Sequence, residues 1–221
     1  MKWLFLLIVN CILIGDDVVP GDISFSYGFL GRLQANSNPD SIVELFHESI
    51  IQTNDRIRVN AGYLKNTHFY LIYNGSMEEY VLLYNEGSNL QKDSVAKANI
   101  DTLFTTLLPW SVMTDPPGDE TFYLINSRAP LTDLTNLLTR YEDAPEKGKS
   151  RLVRKIQAEL DDLDPTSKKE LASLSSRLDK PLVGGVAFRG DDDDEIKDMS
   201  LTHKCIGKGG IAFKKIVLQH K

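Results

Sequence analysis

The chain has 221 residues, 42% of them hydrophobic, which suits one good-sized core or two small ones and argues against a disordered polymer. Its 25 Lys and Arg against 31 Asp and Glu give a formal net charge of -6, so the basic footprint that nucleic-acid binding requires is missing. No repeat of 20 to 50 residues is visible, which sets aside solenoids and propellers.

Residues 1–15 read as an export signal. Lys2 supplies the charged start, residues 3–14 are apolar apart from Asn10 and Cys11, and Gly15 precedes the acidic pair Asp16 and Asp17. The apolar run is shorter than the roughly 20 residues that a helix needs to span a bilayer. Three fates stay open: a cleaved signal peptide, an acylated Cys11 in a loose lipoprotein box, and an uncleaved anchor, the last two being the only membrane attachments that the sequence offers. In either of the first two, Cys205 has no second cysteine in the folded part, so no intramolecular disulfide is expected, and Cys205 reads as a small buried hydrophobe or, alternatively, a reactive or cross-linking thiol.

Residues 16–41 are expected to be a leader and loop, with SFSYGFLG as a possible short strand before a polar run. From residue 42 onward the pattern predicts one β-rich domain, 42–221. Strands are expected at 42–51, 56–61, 68–73 and 79–84, separated by turn formers and so closely spaced that they should be antiparallel neighbours. Asn74-Gly75 is a strong hairpin signal. Residues 100–112 predict a strand or loop closing over the sheet, with Pro109 arguing against a central position. TFYLI at 121–125, between the turn Asp115-Pro116-Pro117-Gly118 and the corner Asn126-Ser127-Arg128, predicts a central strand.

A helical insertion is expected at about 130–179. Leucines at 131, 134, 137 and 138 mark a helix over 130–141, a linker follows at 142–148, and a second helix covers 150–163. Asp164-Pro165 with Leu171, Leu174 and Leu178 predicts a third. Strands return at 182–189, 196–205 and 210–220, with residues 207–210 as a hairpin turn rather than a phosphate cradle, because no helix follows. The fold class is therefore α+β, mainly β: an antiparallel sheet or β-sandwich carrying a helical insertion.

These segments together resemble a bacterial family known only as domain of unknown function 4384. The resemblance rests on a polar turn leading to FYLIY at 69–73 and VLLY at 81–84, on PPGDETFYLINSRAPLTDLTNLL at 116–138, and on VAFRG at 186–190 with the terminal IVLQH at 216–220. It runs from about residue 44 to the C-terminus. It implies a β-rich module, exported or attached to other domains, with no established activity.

Candidate chemistry is sparse. No two of His47, His68, His203 and His220 stand at metal-ligand spacing, and His68 and His220 read as strand residues facing solvent or held by a hydrogen bond. Within the acidic run 191–195, Asp191, Asp193 and Glu195 are oxygen donors for a hard cation, but the run lacks the glycine of a calcium loop and a solvated loop explains it as well. Ser127 and Arg128 stand at a strand end just before a helix N-terminus, where backbone N–H groups attract anions; alternatively Ser127 caps the helix and Arg128 pairs with a carboxylate. Alternation places Phe69, Leu71 and Tyr73 on one strand face and Tyr70 and Ile72 on the other, so a tyrosine-lined binding face and a covered core face are both open. No cofactor is implied. The reading is a non-catalytic binding or interaction module, secreted, periplasmic or on the cell surface, whose partner is an envelope protein or a small ligand. Its rivals are a hydrolase with a dispersed site and a structural component of an envelope complex.

Overall fold

The computed structural model describes residues 22–36, 41–85, 102–165, 174–183 and 200–221. Eleven strands and two helices follow in chain order: β1 (Ile23–Arg32), β2 (Ile42–Glu44), β3 (Ile50–Ile51), β4 (Arg56–Leu64), β5 (His68–Asn74), β6 (Tyr80–Asn85), β7 (Thr102–Val112), β8 (Gly118–Ser127), α1 (Thr132–Glu142), α2 (Glu146–Leu163), β9 (Leu174–Val183), β10 (Ser200–Gly207) and β11 (Ile211–His220). The chain is mainly β, as its composition of strand-favouring runs predicts.

Two sheets face each other. The six-stranded sheet has the order β7-β4-β1-β10-β9 with β2 also on β1, and the five-stranded sheet has the order β3-β11-β8-β5-β6. All pairs are antiparallel except β3, which runs parallel to β11 at Gln219 and His220. The inward residues of both sheets, including Phe25, Phe29, Val59 and Tyr63 against Phe69, Leu71, Phe122 and Leu124, form one buried core. The far face of the second sheet presents Tyr70, Ile72, Tyr123, Ile125 and Phe213, and α1 and α2 bury them with Leu134, Leu138, Leu152, Ile156 and Leu160. The alternation expected along β5 is thus realised, and its second face is covered by helices, which decides between the two readings of the tyrosines.

The strand at TFYLI is central: β8 lies between β11 and β5, with Leu124 opposite Leu71 on one side and Lys214 on the other. Pro109 also behaves as its chemistry demands. It lies in β7, the last strand of its sheet among the described residues, at an irregularity where Ser111 and Leu108 oppose Ile57 and Val59 with an extra residue between them.

Several expectations are corrected. The leader 16–41 contains β1, which is central in its sheet, bonded to β4 along one edge and to β10 and β2 along the other. Ile23, Phe25, Tyr27 and Phe29 alternate inward, so the possible short strand at SFSYGFLG is realised as part of a long, packed one rather than a leader. The expected strand 42–51 is two short strands in different sheets. The strands β4 and β5 are not hairpin neighbours, because the chain between them crosses from one sheet to the other, stacking Tyr63 on Phe69 at 4.7 Å. At the β5–β6 hairpin the left-handed residue is Glu78 (φ 58), within a wider loop closed by Gly75 N–H to the Glu79 carbonyl at 3.1 Å, so Asn74-Gly75 does not make a two-residue turn.

The helix α2 ends at Leu163. α2 starts at Glu146, with Pro145 as its N-cap, inside the expected linker. The expected third helix is overturned from Leu174 onward, where Leu174–Val183 is a strand whose backbone pairs with β10; its earlier part, residues 166–173, lies outside the described residues. Leucines four apart satisfy both one helical turn and two strand repeats, and here the chance to pair an otherwise open strand edge decides. Likewise residues 207–210 are not a hairpin turn, since β10 and β11 belong to different sheets. Gly209 (φ 67) and Gly210 (φ 83) turn the chain, and a Cβ on Gly207 would lie 1.9 Å from the Ile211 carbonyl oxygen, so only glycine fits that crossing.

Candidate functional site

At one end of the sandwich the inward faces of β8 and β11 end in polar residues. Leu218 lies opposite Glu120 and His220 opposite Gly118, so Glu120 and His220 are diagonal neighbours on the core-facing side. Tyr73 on β5 lies opposite Phe122 and reaches the same carboxylate from the other flank. The turn between β3 and β4 brings a fourth group. Its Asp55 accepts the Gln52 and Gln34 N–H groups at 2.7 Å each, while Met113 exchanges backbone bonds with Asn54 and Asp55 at 2.8 Å. This fixes the intervening Thr53.

The result is a continuous hydrogen-bonded chain. Tyr73 Oη donates to Glu120 Oε2, Glu120 Oε1 lies 3.2 Å from His220 Nδ1, and His220 Nε2 lies 3.0 Å from Thr53 Oγ1. Thr53 Oγ1 in turn donates to Asp115 Oδ1 at 2.7 Å. The side chains of His220 and Glu120 are 0% and 2% exposed. A buried carboxylate is tolerable only when paired and hydrogen-bonded, and this one has both. Burial, reinforced by the Glu120 carboxylate, pushes the Tyr73 phenol well above its ordinary range, so Tyr73 remains a donor.

Hydroxyl to Nε2 and Nδ1 to carboxylate is the connectivity of a nucleophilic triad. Two features oppose that use. The imidazole is fully enclosed, and the hydroxyl also faces an acceptor other than the imidazole, Asp115 Oδ1 at 2.7 Å. Chemically the chain is suited to holding the β3–β4 turn, β8, β11 and β5 together.

The sequence-expected residues lie elsewhere or play other parts. Ser127 is buried and its hydroxyl donates to the Ala129 carbonyl at 2.7 Å, while α1 has Leu131 as N-cap and no side-chain cap. Tyr70 does serve the helix start, its hydroxyl accepting the Leu131 N–H at 3.0 Å. Arg128 is exposed, with its backbone N–H bonded to Gly210 O at 3.0 Å and Nη2 to Asp22 O at 2.9 Å. The corner therefore ties strand ends together, and neither the helix-capping Ser127 nor a carboxylate partner for Arg128 is what these bonds show. Tyr73 belongs to the buried chain. Cys11, Asp191, Asp193 and Glu195 lie outside the described residues. Cys205 is fully buried, and burial pushes its thiol up to about 12.

Sequence reading missed Thr53, Asp115, Glu120 and His220 as a group. The signal was present: period-two alternation places Glu120 with Phe122 and Leu124, and His220 with Ile216 and Leu218, on the core side.

Two surface concavities among the described residues lie on the helical layer. One groove of about 460 Å³ lies between α1 and α2, lined by Asp133, Asn136, Arg140, Lys155 and Glu159 around Leu137 and Ala158. A second, of about 380 Å³, lies between α2 and the β5–β6 hairpin and includes Asn74, Glu78, Tyr80, Arg154, Gln157 and Asp161. Its floor is ordered: Tyr80 Oη donates to Gln157 Oε1 at 2.6 Å, and Gln157 Nε2 to Asp161 Oδ1 at 2.7 Å. Burial also raises the phenols of Tyr80 and Tyr123. Among the described residues no His, Cys, Asp and Glu group could hold a metal ion, and no helix is long and apolar enough to cross a membrane.

Compared with known proteins, the chain matches no family model, no curated protein and no solved structure.

Proposed function

We propose that this chain is a non-catalytic interaction module of the bacterial cell envelope, exported by its N-terminal segment, which binds a partner protein through the grooved face of its helical layer. One observation carries the reading. Tyr73, Glu120 and His220 inside the sandwich are hydrogen-bonded to one another, whereas Asp133, Arg140, Arg154, Lys155 and Glu159 stand in shallow mixed-charge grooves suited to a polar protein surface. Export is supported by the leader pattern at residues 1–15, and an exported β-rich module without an established activity is what the resemblance to domain of unknown function 4384 implies. A photo-cross-linking amino acid placed at Asn136 or Arg154 in the producing bacterium should form one discrete protein adduct, and the same group at Val112, exposed on β7 of the other sheet, should not. Equal adducts from all three positions, or none from the grooves, would count against the reading.

A second reading, hydrolysis, is favoured by one specific observation, the triad-like order of Thr53, His220 and Glu120. Labelling with an acyl-directed covalent probe decides it. An adduct on Thr53 that disappears in His220→Asn would establish the hydrolase; an unlabelled Thr53 in the folded chain retires it.

A further inference from the structure

The charges of α2 are sorted along its length in the order that suits an isolated helix least. Glu146 apart, the charged residues from 146 to 155 are basic, Lys147, Lys149, Arg151, Arg154 and Lys155, whereas from 156 to 163 they are the acids Glu159, Asp161 and Asp162. The helix macrodipole favours acids at the N-terminus and bases at the C-terminus, so this order mostly opposes it. Lys147, Arg151 and Lys155 also stand four residues apart, where like charges on successive turns repel. Lys149 is drawn aside by Glu146 at 3.3 Å and by the Tyr141 ring at 5.4 Å. The sorted charges lie on an outward crest. Leu152, Ile156 and Leu160 are buried beneath the helix, and Arg151, Lys155, Ala158 and Asp162 are exposed on its opposite side. Ala158 lines both the groove toward α1 and the groove toward the β5–β6 hairpin, so the crest stands between the two and is low near its middle.

We propose that the crest of α2 seats a second copy of this chain, the two α2 helices lying antiparallel about a two-fold axis near Ile156 and Gln157. The inference rests on the reading of the helical layer as the binding face and names the partner. A two-fold contact sets the same surface against itself in reversed order, so the basic half of each helix meets the acidic half of the other. With the axis at that place, Arg151 stands opposite Asp162 of the second copy. Lys155, on the flank toward α1, comes within one residue of Glu159 of the second copy. Arg154, on the hairpin flank, crosses the gap at Ala158, whose small side chain lets two helices approach closely. Symmetry doubles each ion pair, and the antiparallel macrodipoles attract. A parallel arrangement would instead set Arg151 against Arg151 and Asp162 against Asp162, so the charge order selects the antiparallel one.

The test is sedimentation equilibrium of the full chain and of two variants at exposed positions, an acidic one with Arg151→Asp and Lys155→Glu and a basic one with Glu159→Lys and Asp162→Arg. The parent is expected to dimerise, and more weakly as salt rises. Each variant alone should associate about tenfold more weakly or worse, because its crest then carries one sign. Mixed in equal amounts, the two variants should form a heterodimer at least as tight as the parent dimer, which damage to the fold could not produce. Both keep the N-terminal segment, so association through that segment would survive in them. A parent that stays monomeric up to roughly millimolar chain, variants that dimerise as the parent does, or folded variants that fail to pair when mixed would each overturn the proposal. A photo-cross-linker at Arg154 separates it from the broader reading. An adduct of twice the chain's mass supports the second copy. An adduct with a different protein overturns the second copy and leaves the helical face as the binding surface, and the absence of any adduct counts against both.

Discussion

Leu124 lies at the centre of the account of the fold, and Leu124→Ala measures how firmly β8 joins the two sheets. The side chain is 0% exposed, it faces the inter-sheet core, and its neighbours on β5 and β11 are Leu71 and Lys214. Truncation removes three carbons. At about 0.8 kcal/mol per buried methylene-sized group, lost transfer free energy alone is about 2.4 kcal/mol. Strands bonded on both sides collapse little into the space, so a cavity contribution adds to this and the expected total is about 3 to 5 kcal/mol. For a chain of this size each kcal/mol lowers the melting midpoint by roughly 2 to 4 °C, giving a fall of roughly 6 to 20 °C. Urea unfolding followed by tyrosine and tryptophan fluorescence gives the free energy directly, and Met77→Ala, at a site 62% exposed, serves as control with an expected change within about 0.5 kcal/mol. A loss below about 1 kcal/mol for Leu124→Ala with an unchanged unfolding slope would refute the placement of this strand between two packed layers.

Other outcomes follow from particular contacts. Gly207→Ala should lower the soluble yield and the melting midpoint at least as much as Leu124→Ala, since its Cβ would meet the Ile211 carbonyl oxygen at 1.9 Å; a midpoint near that of the parent would mean the sheet-to-sheet crossing is wrongly drawn. Glu120→Gln replaces the carboxylate between Tyr73 and His220 by a neutral amide and should cost about 2 kcal/mol, because it breaks a buried set of hydrogen bonds to a charged acceptor, and an unchanged urea midpoint would count against the pairing. Stability should fall in alkali. The Cys205 thiol, pushed up to about 12 when folded, loses its proton near pH 9 when unfolded, so across that window the native state holds the extra proton and each rise in pH favours unfolding. Tyr73, Tyr80 and Tyr123, all raised by burial, act in the same direction above about pH 10. A urea midpoint flat from pH 8.5 to 11 would contradict this, as would rapid alkylation of Cys205 in the native protein at pH 8.

Local chemistry was legible where period and punctuation agree. TFYLI between a Pro-Pro-Gly turn and a Ser-Arg corner reads as a central strand, and it is one; the leucine spacing of α1 and α2 likewise gives both helices and the face they bury. The pattern fails where one spacing fits two structures, as with Leu174 and Leu178, and where small residues on the outward face disguise an inward one, as with Ser24, Ser26 and Gly28 in β1. It carries no information on which sheet a strand joins. The turns after β4 and β10 have the composition of hairpins, yet both change layers, because the decision depends on core residues distant in sequence such as Tyr63 and Phe69. The polar chain illustrates the same limit. Alternation can put Glu120 and His220 on the inward face, but their meeting with Thr53, 167 residues before His220, is a product of the sheet order alone.

On the proposed reading the helical face binds a partner while the buried polar chain holds the fold. It is tested by comparing two variants for yield of the Asn136 cross-linked adduct in intact cells, Arg140→Glu in the groove between α1 and α2 and Thr53→Val in the polar chain between the sheets. Both should fold, as judged by their melting midpoints. The expected result is an adduct reduced at least tenfold by Arg140→Glu and retained in Thr53→Val, whereas an adduct retained in the first and lost in the second would contradict the assignment of the working surface to the helices.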